Sequence, residues 1–203
     1  MMESLDQLAI KYGSDKSSKH HGYCDVYERY FAPLRHSNIS FLEIGVGGYH
    51  YPERGGEGLR MWDEYFDCAK WVVGIDKFDK SFKIGITRII KCDQTDSEGL
   101  TNLMNEYNFD VIVEDASHIN PLTIRTFEIL FPQMKSGGIY AIEDTHTSYW
   151  ESIASDGHDF KGGNHEGTVM NYFKRLCDEV CLGKRSDIEG IHFYKQQIFI
   201  IKK

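Results

Sequence analysis

The sequence has no apolar run long enough to cross a bilayer and no leader in which charge precedes an apolar stretch, so a cytoplasmic, membrane-free protein is expected. It has no basic stripe either. With 23 Lys and Arg against 31 Asp and Glu, the formal charge is −8, which speaks against the phosphate-neutralising surface that nucleic acid requires. Five cysteines (24, 68, 92, 177 and 181) are odd in number and scattered, with no Cys-x-x-Cys pair, the usage of reduced intracellular thiols. Internal repeats and linkers are also missing. At 203 residues the chain has room for one domain with a full core. The expectation is a single domain over 1–203 whose first 36 or so residues form a helical, lid-like segment.

What is present centres on Phe41 to Tyr49, FLEIGVGGY. Phe41, Leu42 and Ile44 read as a buried strand that runs into a Glu-x-Gly-x-Gly-Gly turn. Only glycine lets backbone bend that tightly and leave room for a ligand against the main chain. A dinucleotide fingerprint needs a third glycine three residues after the second, and His50 holds that place. No helix follows at once, since Tyr49 to Gly58 is loop-like and a helical pattern resumes only at Leu59. This disfavours a nicotinamide cofactor and leaves space for a ligand with a polar tail.

Upstream, Leu5 to Tyr12 reads as a short amphipathic helix, Gly13 to Gly22 as polar and mobile, and Tyr23 to Leu34 as a helix with Tyr27, Tyr30, Phe31 and Leu34 on one core face. Downstream, apolar runs alternate with helical patterns: strands at 71–75, 86–92, 109–114 and 139–142, helices at 97–107, 121–130 and 168–180. A terminal hairpin, Ile188 to Tyr194 and Gln197 to Ile201, turns over Lys195 and Gln196. Strand and helix in alternation with an antiparallel end make an α/β sandwich of the Rossmann-like, three-layer kind.

The first five strands each deliver an acid at or just past the carboxyl end: Glu43, Asp76, Asp93, Asp115, and the pair Glu143 and Asp144. In an open α/β sheet that edge is where ligands bind. Asp76 stands where such folds hold the ribose hydroxyls of an adenosine ligand, and Asp93, Gln94 and Asp96 are acceptors and donors placed where an adenine edge is read. Asp115, Glu143 and Asp144, on strands expected to be neighbours, would repel unless a cation lay among them. A hard divalent ion such as Mg²⁺ suits oxygen ligands. His118, three residues past Asp115, is placed to act as general base on a ligand hydroxyl. The loop that follows is dense in polar and aromatic groups, namely His146, Tyr149, Trp150, His158 and His165.

The runs LEIGVGGY, PERGGEGLRMW, GIDKFDKS, CDQTD, VEDASHIN and GGIYAIEDTHTSYW resemble the macrolide-sugar O-methyltransferases of the mycinamicin type, within the class I S-adenosylmethionine-dependent methyltransferases. The likeness runs from about Lys11 to Trp150. It implies a seven-stranded, mostly parallel sheet with an antiparallel terminal strand, S-adenosylmethionine as methyl donor, Mg²⁺, and a sugar hydroxyl as acceptor. Carried over by motif, the donor contacts are Glu43, Gly45, Gly47, Asp76, Asp93, Gln94 and Asp115; the metal ligands are Asp115, Glu143 and Asp144; the base is His118. His146 and Tyr149 fall in the acceptor loop. Glu114 and Ala116 depart from the aspartate and glycine often found there. A non-sugar acceptor (a phosphoramidate, a catechol or another diol) and a nicotinamide oxidoreductase stay open as alternatives, as does a homo-oligomer.

Overall fold

Helix α1, Leu5–Tyr12, starts at Ser4, whose hydroxyl accepts from the Gln7 amide while the Gln7 side chain answers the Ser4 amide, a reciprocal cap that fixes the helix start. It ends at Gly13 in the left-handed conformation. The computed structural model from which this is drawn describes residues 2–151, 163 and 165–203, together with the backbone of 153–155 and 158–160. The fold is of the expected class, an α/β sandwich with a seven-stranded, mostly parallel sheet and antiparallel terminal strands. Two compact units compose the chain, residues 1–92 and 93–203. None of the five cysteines is in a disulfide. Among the described residues no helix is long and apolar enough to cross a membrane.

The first unit adds α2 (Cys24–Phe31), β1 (Ser40–Ile44), α3 (Glu57–Tyr65), β2 (Trp71–Asp76) and β3 (Arg88–Lys91). Its strands pair in parallel in the order β3-β2-β1. Every residue of β1 is buried, Glu43 included, as befits a strand covered on both faces. The core gathers on Trp62, whose ring meets those of Tyr27, Phe31, Phe41 and Phe66 at centroid distances of 5.1 to 6.0 Å. The aromatic face of residues 23–34 is therefore core, as its spacing suggests.

One expectation fails in this unit. A polar, mobile segment is expected at residues 13–22, yet Ser14, Lys16 and Ser17 are all buried. The Lys16 carbonyl accepts the amides of Tyr23 and Cys24, which closes the segment onto the start of α2, and Asp6 accepts from both the amide and the hydroxyl of Ser18. Polar composition says that a segment can live in water. It does not reveal a buried partner elsewhere in the chain.

The second unit holds α4 (Ser97–Tyr107), β4 (Val111–Glu114), α5 (Asn120–Leu130), β5 (Ile139–Ile142), the short antiparallel pair β6 (Ile153–Ser155) and β7 (His158–Phe160), α6 (Val169–Cys181), β8 (Ile188–Tyr194) and β9 (Gln197–Lys202). Strands β4 and β5 are parallel, and β9 lies antiparallel to both β5 and β8. The β6 and β7 pair lies in a stretch the sequence offered only as loop. Helix α4 starts where the Asp96 carboxylate accepts from Gly99, and α6 where the Thr168 hydroxyl accepts from Asn171, two side-chain caps of the usual kind.

Helix α5 turns Thr123, Thr126, Phe127 and Leu130 inward. Phe127 meets Tyr140 of β5 and Phe173 of α6 edge-on. In the same interior Glu114 is fully buried; the Gln94 amide donates to one of its oxygens at 3.0 Å and to the Thr126 hydroxyl at 3.2 Å. Burial raises the Glu114 pKa to about 7, and the charge of His118 works against that rise. The unfolded value is near 4.5, so the folded protein holds this proton more tightly. Stability should fall as pH rises through that window, and level off above it. Glu114→Gln is expected to flatten this dependence in urea unfolding across the window; a variant whose midpoint tracks the parent's at every pH would contradict it.

Candidate active site

In the first unit, β1 runs into a turn that doubles back on itself. Gly45, Gly47 and Gly48 all have positive φ, and so has Tyr49. A Cβ on Gly48 would overlap the Arg54 carbonyl, and one on Gly55 would overlap that of Gly47; glycine at both places is a steric requirement. The amide of Gly56 closes the loop on the Val46 carbonyl at 2.7 Å, and α3 begins one residue later. No helix starts at His50, as the missing third glycine implies. Asp76, at the end of β2, accepts from the Val46 amide at 3.2 Å and the Phe78 amide at 2.9 Å, so this carboxylate also holds the turn.

Glu43 is placed differently from a residue that reaches for a ligand. It is 2% exposed, its Oε1 accepts from Trp62 Nε1 at 3.1 Å, and Lys16 Nζ lies 3.6 Å from the same oxygen. The carboxylate lies so close to α3 that a Cβ on Gly58 would overlap it. A buried carboxylate needs such neighbours, because removing a charge from water costs several kcal/mol unless it is paired and hydrogen-bonded (about that order). Nothing in the sequence around Lys16 pairs it with Glu43.

In the second unit, the register pairs Glu114 with Ile142, and the Glu143 amide donates to the Glu114 carbonyl at 3.0 Å. The parallel ladder thus runs one residue past the strands and brings Asp115 and the Glu143–Asp144 pair level. Asp115, His118 and Asp144 converge there, each offering one ligand atom, and all three atoms lie within 4.8 Å of one another. His118 Nε2 stands 3.4 Å from Asp144 Oδ2 and 3.8 Å from Asp115 Oδ1. His146 Nδ1 is 3.8 Å from Asp144 Oδ1. The three clustered side chains are between 16% and 28% exposed, open enough for a ligand and sheltered enough to strengthen its electrostatics.

The cluster is held under strain. His118 and Asp144 have φ of 55° and 52°, a left-handed conformation that costs an L-residue about 1–2 kcal/mol. What keeps them there is a set of hydrogen bonds within the unit. The Thr147 hydroxyl donates to the His118 carbonyl at 3.1 Å. Asn120 Oδ1 accepts from the Ser148 hydroxyl and the Val169 amide, both at 2.8 Å, and Ser148 Oγ accepts from the Met170 amide at 3.2 Å. Loop, 3-10 turn (Thr145–Tyr149) and the start of α6 are tied together around the two strained residues.

Other residues singled out in the sequence stand apart. Glu143 is buried and lies outside the three-residue cluster. Asp93 Oδ1 accepts from both the amide and the hydroxyl of Thr95, and Gln94 directs its amide protons to Glu114 and Thr126. Both therefore serve the turn before α4 and the interior beneath α5. Tyr149 and Trp150 are half exposed, with the Trp150 ring edge-on to His146 at 5.1 Å. The His158 side chain lies outside the described residues.

The pairing of Lys16 with Glu43 yields a test. Lys16→Met leaves a buried carboxylate without that ammonium and should lower unfolding stability by about 3–5 kcal/mol. Lys16→Met combined with Glu43→Gln should recover most of the loss in denaturant melts. Strictly additive losses would show that the two residues act independently.

No protein-family model matches the chain. It is 36% identical over 217 residues to mycinamicin VI 2''-O-methyltransferase of Micromonospora griseorubida, covering 98% of this chain and 52% of that one. It is 38% identical over 178 residues to 8-demethyl-8-alpha-L-rhamnosyl tetracenomycin-C 2'-O-methyltransferase of Streptomyces olivaceus, covering 86% and 45%. The MycE methyltransferase of mycinamycin biosynthesis, solved with Mg, SAH and mycinamycin VI, matches with a TM-score of 0.87 at 35% identity over 98% of this chain and 54% of that one. The chain spans about half the length of the curated relatives it matches. In sequence and in fold alike, it resembles the macrolide-sugar O-methyltransferases over the half of their length that it covers.

Proposed function

We propose that the chain is an S-adenosylmethionine-dependent, Mg²⁺-dependent O-methyltransferase acting on a hydroxyl of a sugar or glycosylated metabolite. The observation that carries this reading is the convergence of Asp115, His118 and Asp144 at the carboxyl ends of β4 and β5. The relatives' names point the same way, since those compared are sugar O-methyltransferases. All of residues 1–203 then serve one reaction, as a single methyltransferase domain.

In this reading the glycine turn at Gly45 and Gly47 receives the donor's methionine portion, with Glu43 shaping the turn from behind. Asp76 takes the ribose hydroxyls, and Asp93 and Gln94 form the floor of the adenine region. Asp115 and Asp144 fit Mg²⁺, which needs only one or two carboxylates and keeps several waters. When bound, the ion supplies positive charge that lowers the pKa of a hydroxyl brought to it. Asp115 and Asp144 also orient the acceptor, and His146, Tyr149 and Trp150 offer it polar and aromatic surface.

His118 presents Nε2 to the carboxylates and takes the acceptor's proton there. As that proton leaves, the acceptor oxygen forms its bond to the methyl carbon and the bond from that carbon to sulfur breaks. The products are a methyl ether and S-adenosylhomocysteine. Loss of a positioned base typically costs about 10²–10⁴-fold in rate. His118→Ala is therefore expected to lose turnover by about that factor, while calorimetric binding of S-adenosylhomocysteine is unchanged. EDTA should stop the wild-type reaction and added Mg²⁺ restore it. A fully active His118→Ala protein would remove the base, and indifference to EDTA would remove the metal.

A further inference from the structure

The glycine turn after β1 has few internal means of keeping its shape. Gly45, Gly47, Gly48, Tyr49, Gly55 and Gly56 all have positive φ, and its own backbone bonds are Tyr51 to Gly48 at 3.1 Å, Arg54 to Tyr51 at 3.2 Å and Gly56 to Val46 at 2.7 Å. A chain so rich in glycine loses much entropy on being fixed. The carbonyls of Gly47 and Tyr49, which sit at the apex, are both met by a side chain from another loop. Lys80 Nζ donates to each at 2.6 Å, and it lies 3.9 Å from Asp76 Oδ2. The next residue adds a second tie, the Ser81 amide to the Pro52 carbonyl at 2.9 Å.

We propose that Lys80 is a positioning residue for the donor site: it clamps the apex of the glycine turn by two carbonyls and sets its charge beside Asp76. This rests on the reading of that turn and of Asp76 as the donor's seat. The chemistry suits lysine. An ammonium carries three donors on a flexible stem, so one group can meet two converging carbonyls and still face a carboxylate. Tyr49 is the apex residue without a glycine's freedom, and the bond to its carbonyl offsets the strain of its φ of 48°. With the two carbonyls held by Lys80, the backbone of the turn is fixed where the donor reading seats its ligand. Asp76, which also accepts from Val46, joins the turn's base to the same ammonium.

The test compares wild type, Lys80→Met and Lys91→Met. Lys91 is exposed and pairs with Asp79, so its loss removes the same charge from the same unit without touching the turn. Hydrogen bonds from a charged donor are strong enough that losing two should raise the Kd for S-adenosylhomocysteine about tenfold or more. The donor KM should rise alike, with kcat at saturating donor within about threefold of wild type. Lys91→Met should bind as wild type does. Amide exchange of ligand-free protein gives an independent readout: Lys80→Met should speed exchange in residues 46–56 and leave β1 and β2 unchanged. A Kd within twofold of wild type, or unchanged exchange in the turn, overturns the clamp. If wild type itself binds no S-adenosylhomocysteine, the donor reading falls, and the exchange arm alone decides whether Lys80 holds the turn.

Discussion

Asp115 and Asp144 repel each other, and the backbone brings them together all the same. Their carboxylates and the His118 imidazole share a space under 5 Å across, where like charges cost far more than in water. The parallel register of β4 and β5 puts the acids level, and two residues in left-handed conformation turn the side chains toward each other. The surrounding hydrogen bonds hold the strain: Thr147 on the His118 carbonyl, and Asn120 with Ser148 on the first turn of α6. Strained, like-charged groups persist where the neighbouring structure over-determines them. Such an arrangement is relieved by a cation, and that is the property from which the proposed chemistry follows.

The first unit solves a different problem with the same tools. There the charges are buried and opposite, Glu43 against Lys16, with Trp62 Nε1 donating to the same carboxylate. The aromatic cluster around Trp62 fixes its indole, and the indole fixes the carboxylate at the foot of the glycine turn. Packing in the core is thereby passed to a loop with five glycines among residues 45–56. A site on a loop is precise only when rigid elements hold it from outside. Lys16, Trp62, Asp76 and Lys80 are those outside holds.

Much of this could be read from residue order. Apolar runs separated by helical periods located the strands and helices to within a few residues, because burial on both faces of a parallel strand leaves an unmistakable stretch such as WVVGID or DVIVE. Acids past the ends of β4 and β5 also mark, in residue order, two of the side chains that meet in the cluster. Side-chain direction past the end of a strand was not legible. Residue alternation fails there, and the φ reversal at Asp144 puts it beside His118 while Glu143 stays buried. Gln94 shows the same limit. Its amide is turned inward to a buried glutamate, a partner 20 residues away that no local pattern marks. The partners of Lys16 and Lys80 are not legible because each acts on residues about 30 positions away in sequence, and a lysine in a polar segment ordinarily means a solvated surface.

The most direct measurement is a crystal structure grown with Mg²⁺ and S-adenosylhomocysteine. The expected result is an ion about 2.1 Å from an oxygen of Asp115 and an oxygen of Asp144, with His118 Nε2 facing it and the donor product on the glycine turn. An ion bound elsewhere, or none with the two carboxylates turned apart, would contradict the claim that the strand ends are built around a cation.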